Sequence, residues 1–349
     1  MATQDNSNKS FFNCHRKRNQ NSTAVETSPH FQGNRMKRGI FFAAVFSAGI
    51  ATPLAALGQT VFPATNPNAA EWALIKLTPN IVASAKGGSG VLVGLYDGRA
   101  DCRNRDLAGR CNNLLLSTGI YSSYDNHGSH TAGTIAGARF GAATGVTIVN
   151  YAVFDSRGYV ASGGGLTSAW LDAASRKASI ASMSFGCARM ALCFSASEVR
   201  AMAGSALSGT LFVKAAGNDG AILGREMIPV TATEARTALG RLLLVGSVNS
   251  TGTISAFSNR PGEGCLMPSG ATACAEDMKW KNRFIVAPGE MIYATLPNNT
   301  YGYMSGTSMA TPVVAAAAAL IEARWPLLKS SPASVANILL NSATDLGAK

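Results

Sequence analysis

Between residues 89 and 325, short apolar runs alternate with longer stretches of helical period, and few architectures accommodate that alternation. The runs lie at 91–96, 147–154, 179–185, 211–216, 242–248 and 284–287. Each carries apolar residues at successive positions, so both faces of the strand must be covered. Helical patterns occupy 128–136, 166–178, 196–207 and 309–324. Strands covered on both faces, with helices between them, predict an α/β fold of three layers: a mostly parallel sheet with helices on either side. No internal repeat and no Pro- or Ser-rich linker divides residues 59–349, which read as one domain. The apolar run at 313–320 is too short to span a membrane, and Glu322 and Arg324 follow it directly, so it reads as a buried core helix.

The first 58 residues read differently. Met36-Lys37-Arg38 precedes an apolar run at 40–57, and Ala56-Leu57-Gly58 supplies the small residues of an export cleavage site. Residues 1–58 are therefore expected to be an N-terminal extension plus signal peptide, leaving no stable membrane insertion after cleavage. The alternative is a retained anchor, which Pro53 and the small residues near the end of the run disfavour. Met36 offers a second start site. Cysteine usage agrees with export: Cys102, Cys111, Cys187, Cys193, Cys265 and Cys274 form three close couples beyond the extension. Six cysteines allow about 15 pairings, and short loops are the simplest closure. The net charge of +11 is split between the extension and the body without a basic block in the body, which argues against a nucleic-acid partner.

Histidine sets the chemistry. Only His127 and His130 lie beyond residue 58, so a hydrolase using imidazole as its base must use one of them. Two histidines three apart also suit zinc, but no third ligand with a helical Glu partner is evident, and no metal is expected. A nucleophile needs a tight turn with small neighbours. Gly306-Thr307-Ser308-Met309-Ala310 provides one, at the start of a helix whose N–H groups face developing negative charge. Read alone, that turn is also an ordinary helix cap. Asp97 ends the apolar run 91–96, at the carboxyl edge where sites in open α/β sheets gather. Read alone, it is also a strand-terminating turn residue.

Together these stretches resemble the subtilisin-like serine proteases, or subtilases. Val93-Gly-Leu-Tyr-Asp97, His127-Gly-Ser-His-Thr-Ala-Gly133 and Gly306-Thr-Ser-Met-Ala-Thr-Pro312 resemble the signature stretches of that family, in the order Asp, His, Ser. Lys214-Ala-Ala-Gly-Asn218, Phe257-Ser-Asn259 and Ala287-Pro-Gly289 resemble its supporting ones. The resemblance implies a catalytic triad of Asp97, His127 and Ser308, and an oxyanion donor in Asn218. It implies a substrate pocket walled by Ser184, Phe185 and Gly186 on one side and Ala215, Ala216 and Gly217 on the other. His130 takes the place of a second, structural histidine. The implied activity is serine endopeptidase action on protein or peptide substrates, without a cofactor, by a secreted or cell-surface protein. That location is reached through the periplasm in a Gram-negative cell.

Several departures qualify the resemblance. Asp97 is followed by Gly98 and Arg99 where the family has Ser or Thr and then Gly. That difference motivates the alternative of a catalytically inactive binding or adhesion module. The stretch 134–145 is short and lacks the Asn-rich loop that holds calcium in many relatives. Residues 59–88 leave no room for a folding pro-domain, a shortage that resembles the passenger domains of autotransporter proteases. Arg225-Glu226-Met227 is expected near the floor of the specificity pocket, with Glu226 favouring basic residues or Met227 plugging the pocket.

Overall fold

The protein was described from a computed structural model covering residues 65–114, 124–154, 160, 165–186 and 194–346. The expected signal segment and the couple Cys187 and Cys193 lie outside the described residues. Two short helices, α1 (Ala69–Leu74) and α2 (Pro79–Ser84), lead into strand β1 (Leu92–Asp97). There follow β2 (Cys111–Leu114), α3 (Asn126–Ala136), β3 (Thr147–Ala152), α4 (Gly165–Ser175), β4 (Ile180–Met183), α5 (Ala196–Ala203) and β5 (Leu211–Ala215). The second half runs β6 (Glu226–Met227), α6 (Ala232–Gly240), β7 (Leu242–Val248), β8 (Leu266–Met267), β9 (Phe284–Pro288), β10 (Ile292–Leu296), β11 (Thr300–Met304), α7 (Thr307–Arg324) and α8 (Pro332–Ser342).

Seven strands form one sheet in the order β2-β3-β1-β4-β5-β7-β9, with all neighbouring pairs parallel. Because side chains alternate across a strand, the sheet feeds two cores. Val93, Leu95, Ile148, Ile180, Val213 and Val245 pack with Ile135 of α3, Val313 and Val314 of α7, and Leu339 of α8. Tyr96, Tyr151, Met183, Phe212 and Leu244 pack on the opposite face with Trp170 of α4, Val199 of α5 and Leu239 of α6. These are the three layers expected from the sequence. Ala315, Ala316, Ala318 and Ala319 of α7 are fully buried, and their small side chains let that helix lie close over the sheet. Among the described residues, no helix is long and apolar enough to cross a membrane.

The six expected strands and four expected helices are present, with ends adjusted by a few residues. The 196–207 pattern stops at Ala203 and continues as a single 3₁₀ turn, Ser205–Leu207. Residues 65–88, which read only as a short spacer, fold onto the domain: Trp72 and Ala85 join the α3/α7 core. Two of the three cysteine couples close as short loops, Cys102–Cys111 and Cys265–Cys274.

Candidate active site

Asp97 has the same alternation parity as Val93 and Leu95, so its side chain faces α3 rather than α4. Asp125 caps α3, its Oδ1 accepting the N–H of Gly128 at 2.9 Å, and this sets the start of the helix against the end of β1. The approach is close. A Cβ on Gly98 would sit 2.5 Å from Asp125 Oδ1, and one on Gly128 would sit 2.1 Å from the Gly98 carbonyl oxygen. Only glycines at both positions allow the contact.

That contact brings His127 onto Asp97, with Nδ1 and Oδ1 2.8 Å apart. The remaining capacity of the carboxylate is filled by the Gly98 N–H on Oδ1 at 2.6 Å and the Thr131 hydroxyl on Oδ2 at 3.1 Å. Asp97 is wholly buried. Asp97 accepts two hydrogen bonds besides its contact with His127, so the hydrogen in that contact is placed on His127 Nδ1. His127 Nε2 then carries the free lone pair. It is buried and has no hydrogen-bond partner among the described residues, an unusual condition for a polar atom at this depth.

Ser308 lies in the first turn of α7, and its Oγ donates to the Ser184 carbonyl at 3.0 Å. The Ser184 hydroxyl returns a bond to the Ser308 carbonyl at 2.9 Å, so the start of α7 is tied to the segment that follows β4. Asn218 is anchored by Thr307, whose N–H and hydroxyl both donate to its Oδ1. The chain at Gly306 runs at φ +156°, and a Cβ there would stand 3.1 Å from Asn218 Nδ2. The two expected wall segments also come together. Ser184, Phe185 and Gly186 continue β4 beyond its last pairing, Met183 with Lys214, while Ala215 ends β5 and Ala216 and Gly217 follow it. A Cβ on Gly186 would stand 3.8 Å from the Gly217 Cα, so the segments run side by side. Asn259 Nδ2 fixes the second wall by donating to the Ala216 carbonyl at 3.0 Å.

His130 is separate from this group. Its Nε2 donates to the carbonyls of Ile292, at 2.9 Å, and Gly302, at 3.2 Å, across the β10–β11 hairpin. Burial lowers its pKa to about 4, so it is a neutral tie between α3 and the hairpin. The two histidines thus turn to different partners and do not form a zinc pair. Among the described residues, the group of potential ligands is Asp97, Asp125 and His127, whose donor atoms lie within 4.8 Å of one another. Asp97 Oδ1 and Asp125 Oδ1 already take part in the hydrogen bonds named above.

Arg99, the residue of the departing turn, has its guanidinium over the Tyr124 ring, 4.7 Å from the centroid, and its carbonyl accepts the Asp125 N–H at 2.7 Å. One expectation is revised. Met227 plugs no pocket, because β6 pairs with β8 and leaves that side chain 74% exposed. The sequence reading also passed over Thr131, Thr307 and Lys214. Thr131 was detectable as the residue one helical turn after His127, on the same face.

Residues 88–349 match the subtilase family, peptidase S8. The chain belongs to that family. It is 30% identical to subtilisin DY of Bacillus licheniformis over 277 residues, spanning 76% of this chain and 88% of the relative. Identity to subtilisin E of Bacillus subtilis strain 168 is also 30%, over 281 residues, covering 77% of this chain and 64% of that protein. Among solved structures, it is similar to the prenylagaramide maturation protease PagA, with a TM-score of 0.60 and 26% identity over 77% of this chain and 90% of the other. A cold adapted subtilisin-like serine proteinase aligns with a TM-score of 0.53 and 26% identity, covering 74% and 84% of the two chains. Subtilases are serine-type peptidases, and the likeness extends through both the sequence and the three-layer fold.

Proposed function

We propose that the protein is an exported serine endopeptidase in which Asp97, His127 and Ser308 act as the catalytic triad. The observation that carries this reading is the buried 2.8 Å bond from Asp97 to His127, which leaves Nε2 of the imidazole without a partner among the described residues. Ser308 attacks the scissile carbonyl as His127 Nε2 takes its proton, forming the tetrahedral intermediate. Asp97 stabilises the resulting imidazolium without itself becoming protonated. In the structure the Ser308 hydroxyl is held on the Ser184 carbonyl, and the attack requires it to turn from that carbonyl to His127 Nε2. The oxyanion is received by Asn218 Nδ2 and the Ser308 N–H at the positive end of α7. His127 then gives its proton to the leaving amine, and water repeats the sequence on the acyl-enzyme.

The walls formed by 184–186 and 215–217 are proposed to receive the side chain before the cut, while an extended substrate pairs through its main chain. Residues 59–349 act as the peptidase domain. Export is supported by the signal-like segment before residue 58 and by the Cys102–Cys111 and Cys265–Cys274 bridges. The kinship with autotransporter passengers is proposed on the same basis as in the sequence, the short span between residues 58 and 89.

Labelling with a serine-directed fluorophosphonate, together with casein hydrolysis, tests the assignment. The parent is expected to label and to cut, and Ser308→Ala to do neither while keeping its melting temperature. A parent that folds but does not label is the inactive binding module. Labelling that survives Ser308→Ala overturns the choice of nucleophile.

A further inference from the structure

We propose that Asn150 is a positioning residue for Asp97, a role that rests on the catalytic reading above. Asn150 lies on β3 in register with Leu95, and is fully buried. It shares its face of the sheet with Ile148, in the α3/α7 core. A side chain of this size without polar atoms would pack there with nothing to satisfy. An amide at the same place requires partners, since a buried polar group left unpaired bears the full cost of its lost hydration.

All the hydrogen bonds of this amide go to one segment. Nδ2 donates to the Leu95 carbonyl and to the Gly98 carbonyl, both at 3.3 Å, and Oδ1 accepts the Ala100 N–H at 2.9 Å. They therefore bracket Asp97 from two residues before it to three residues after. The ladder ends at the pairing of Asp97 with Ala152, so Gly98 and the residues beyond it have no strand partner. Their other polar groups are served from elsewhere: the Gly98 N–H by Asp97 itself, the Arg99 carbonyl by the Asp125 N–H, and the Ala100 carbonyl by Asn113 Nδ2 at 2.8 Å. Among the described residues, the Gly98 carbonyl and the Ala100 N–H are served by Asn150.

The consequence reaches both members of the pair. The Gly98 carbonyl is the group packed against Gly128, at the start of the helix that carries His127. If Asn150 is lost, this carbonyl and the Ala100 N–H are orphaned, and the turn must rotate to find partners. Such a rotation changes the direction of the Asp97 carboxylate and presses the Gly98 carbonyl onto α3. The side chain on β3 thereby sets the distance between Asp97 and His127, across the turn in which this chain departs from its family. A misplacement of about 1 Å in a catalytic group costs on the order of 100-fold in rate.

The test compares the parent enzyme with Asn150→Leu, which keeps the branched outline of the side chain at a somewhat larger volume and removes the three bonds, and Asn150→Ser, which is smaller and polar. Fluorophosphonate labelling rates, kcat and KM on a peptide ester, melting temperature and the low-field proton resonance of the His127–Asp97 bond are measured together. Asn150→Leu is expected to lower kcat and the labelling rate by at least tenfold, to leave KM within about twofold, and to move the low-field resonance upfield. Asn150→Ser is expected to fall between the two, and it decides the matter if the leucine variant does not fold. A folded variant with unchanged kcat and an unmoved resonance overturns the proposal, even if its melting temperature falls, because Asn150 is then only a core hydrogen bond. A parent that does not label overturns the catalytic reading itself, and the positioning role with it.

Discussion

The Asn218 side-chain oxygen accepts two hydrogen bonds from Thr307, one from the N–H at 2.9 Å and one from the hydroxyl at 2.7 Å. Two donors on one end of an amide settle which end is oxygen. Nδ2 is therefore the end that faces the oxyanion in the proposed mechanism, and it lies beside Gly306. Asn218→Ala is expected to lower kcat about 100- to 1,000-fold with little change in KM, the loss that follows removal of one oxyanion donor in enzymes of this family. Thr307→Val removes one of the two anchors, and a smaller loss of the same kind is expected. A change confined to KM in either variant would show that Asn218 binds the ground state instead.

Lys214 is an unusual tenant of a central strand. It is buried on β5, and its Nζ donates to the Phe185 carbonyl at 2.6 Å while lying 4.8 Å from the Phe185 ring centroid. A charge-assisted bond to a pocket wall is worth roughly 1.5–3 kcal/mol, enough to decide where that wall sits. Lys214→Met keeps the length of the side chain and removes the bond. It is expected to lower kcat/KM on peptide substrates about tenfold while leaving fluorophosphonate labelling nearly unchanged, because the small reagent does not use the wall. Equal losses in both assays would place the effect on Ser308 rather than on the pocket.

The sheet and the site were legible in the sequence to different depths. Strands such as 242–248 announce themselves because both faces are apolar, and Asp97, His127 and Ser308 stand in stretches too particular to miss. The edge strand β2 reads Cys-Asn-Asn-Leu, and the polar residues that suit a sheet edge also hide it. Helix α6 was marked by its capping box, Thr231 with Glu234, but its apolar face is narrow. Lys214 and Asn150 were illegible for another reason. A lysine or asparagine inside an apolar run has no meaning until the neighbouring strand shows which backbone groups it must serve.

Asp106, between β1 and β2, is a buried carboxylate whose Oδ1 accepts from the Arg139 Nε at 2.8 Å, while the Arg139 Nη2 donates to the Tyr301 hydroxyl at 2.6 Å. The guanidinium thus supplies a positive charge opposite Asp106. Incubation with EGTA is expected to leave the melting temperature unchanged. Arg139→Leu is expected to cost about 2–4 kcal/mol, somewhat below a fully buried pair because Arg139 remains 30% exposed. Asp106 Oδ2 has no hydrogen-bond partner. If EGTA lowers the melting temperature as much as the substitution does, a cation shares that oxygen.

Glu322 sits fully buried on α7, the helix whose first turn holds Ser308, and accepts a hydrogen bond from Ser179 on Oε2, while Oε1 has no partner among the described residues. Burial raises its pKa to about 7 from the ordinary 4.5, partly offset by the Ser179 bond and by Lys329. A raised carboxyl pKa means that the folded chain holds a proton the unfolded chain releases. Its contribution is therefore fully present below pH 4.5 and is lost as the pH rises through 7. His130 works the other way. Its pKa is lowered from 6.5 to about 4, so its contribution is present above pH 6.5 and is lost as the pH falls toward 4. The two slopes oppose each other across mildly acidic pH, which hides both in the parent protein. Glu322→Gln separates them, because glutamine keeps the shape and is never charged. The variant is expected to match the parent at pH 4 and to melt several degrees higher at pH 8, where the parent carries a buried carboxylate. Each pKa unit is worth about 1.4 kcal/mol, so the gain is at most roughly 3 kcal/mol. Thermal melts of both proteins across that range measure it, and a gain of equal size at pH 4 and pH 8 would show that Glu322 is not the titrating group.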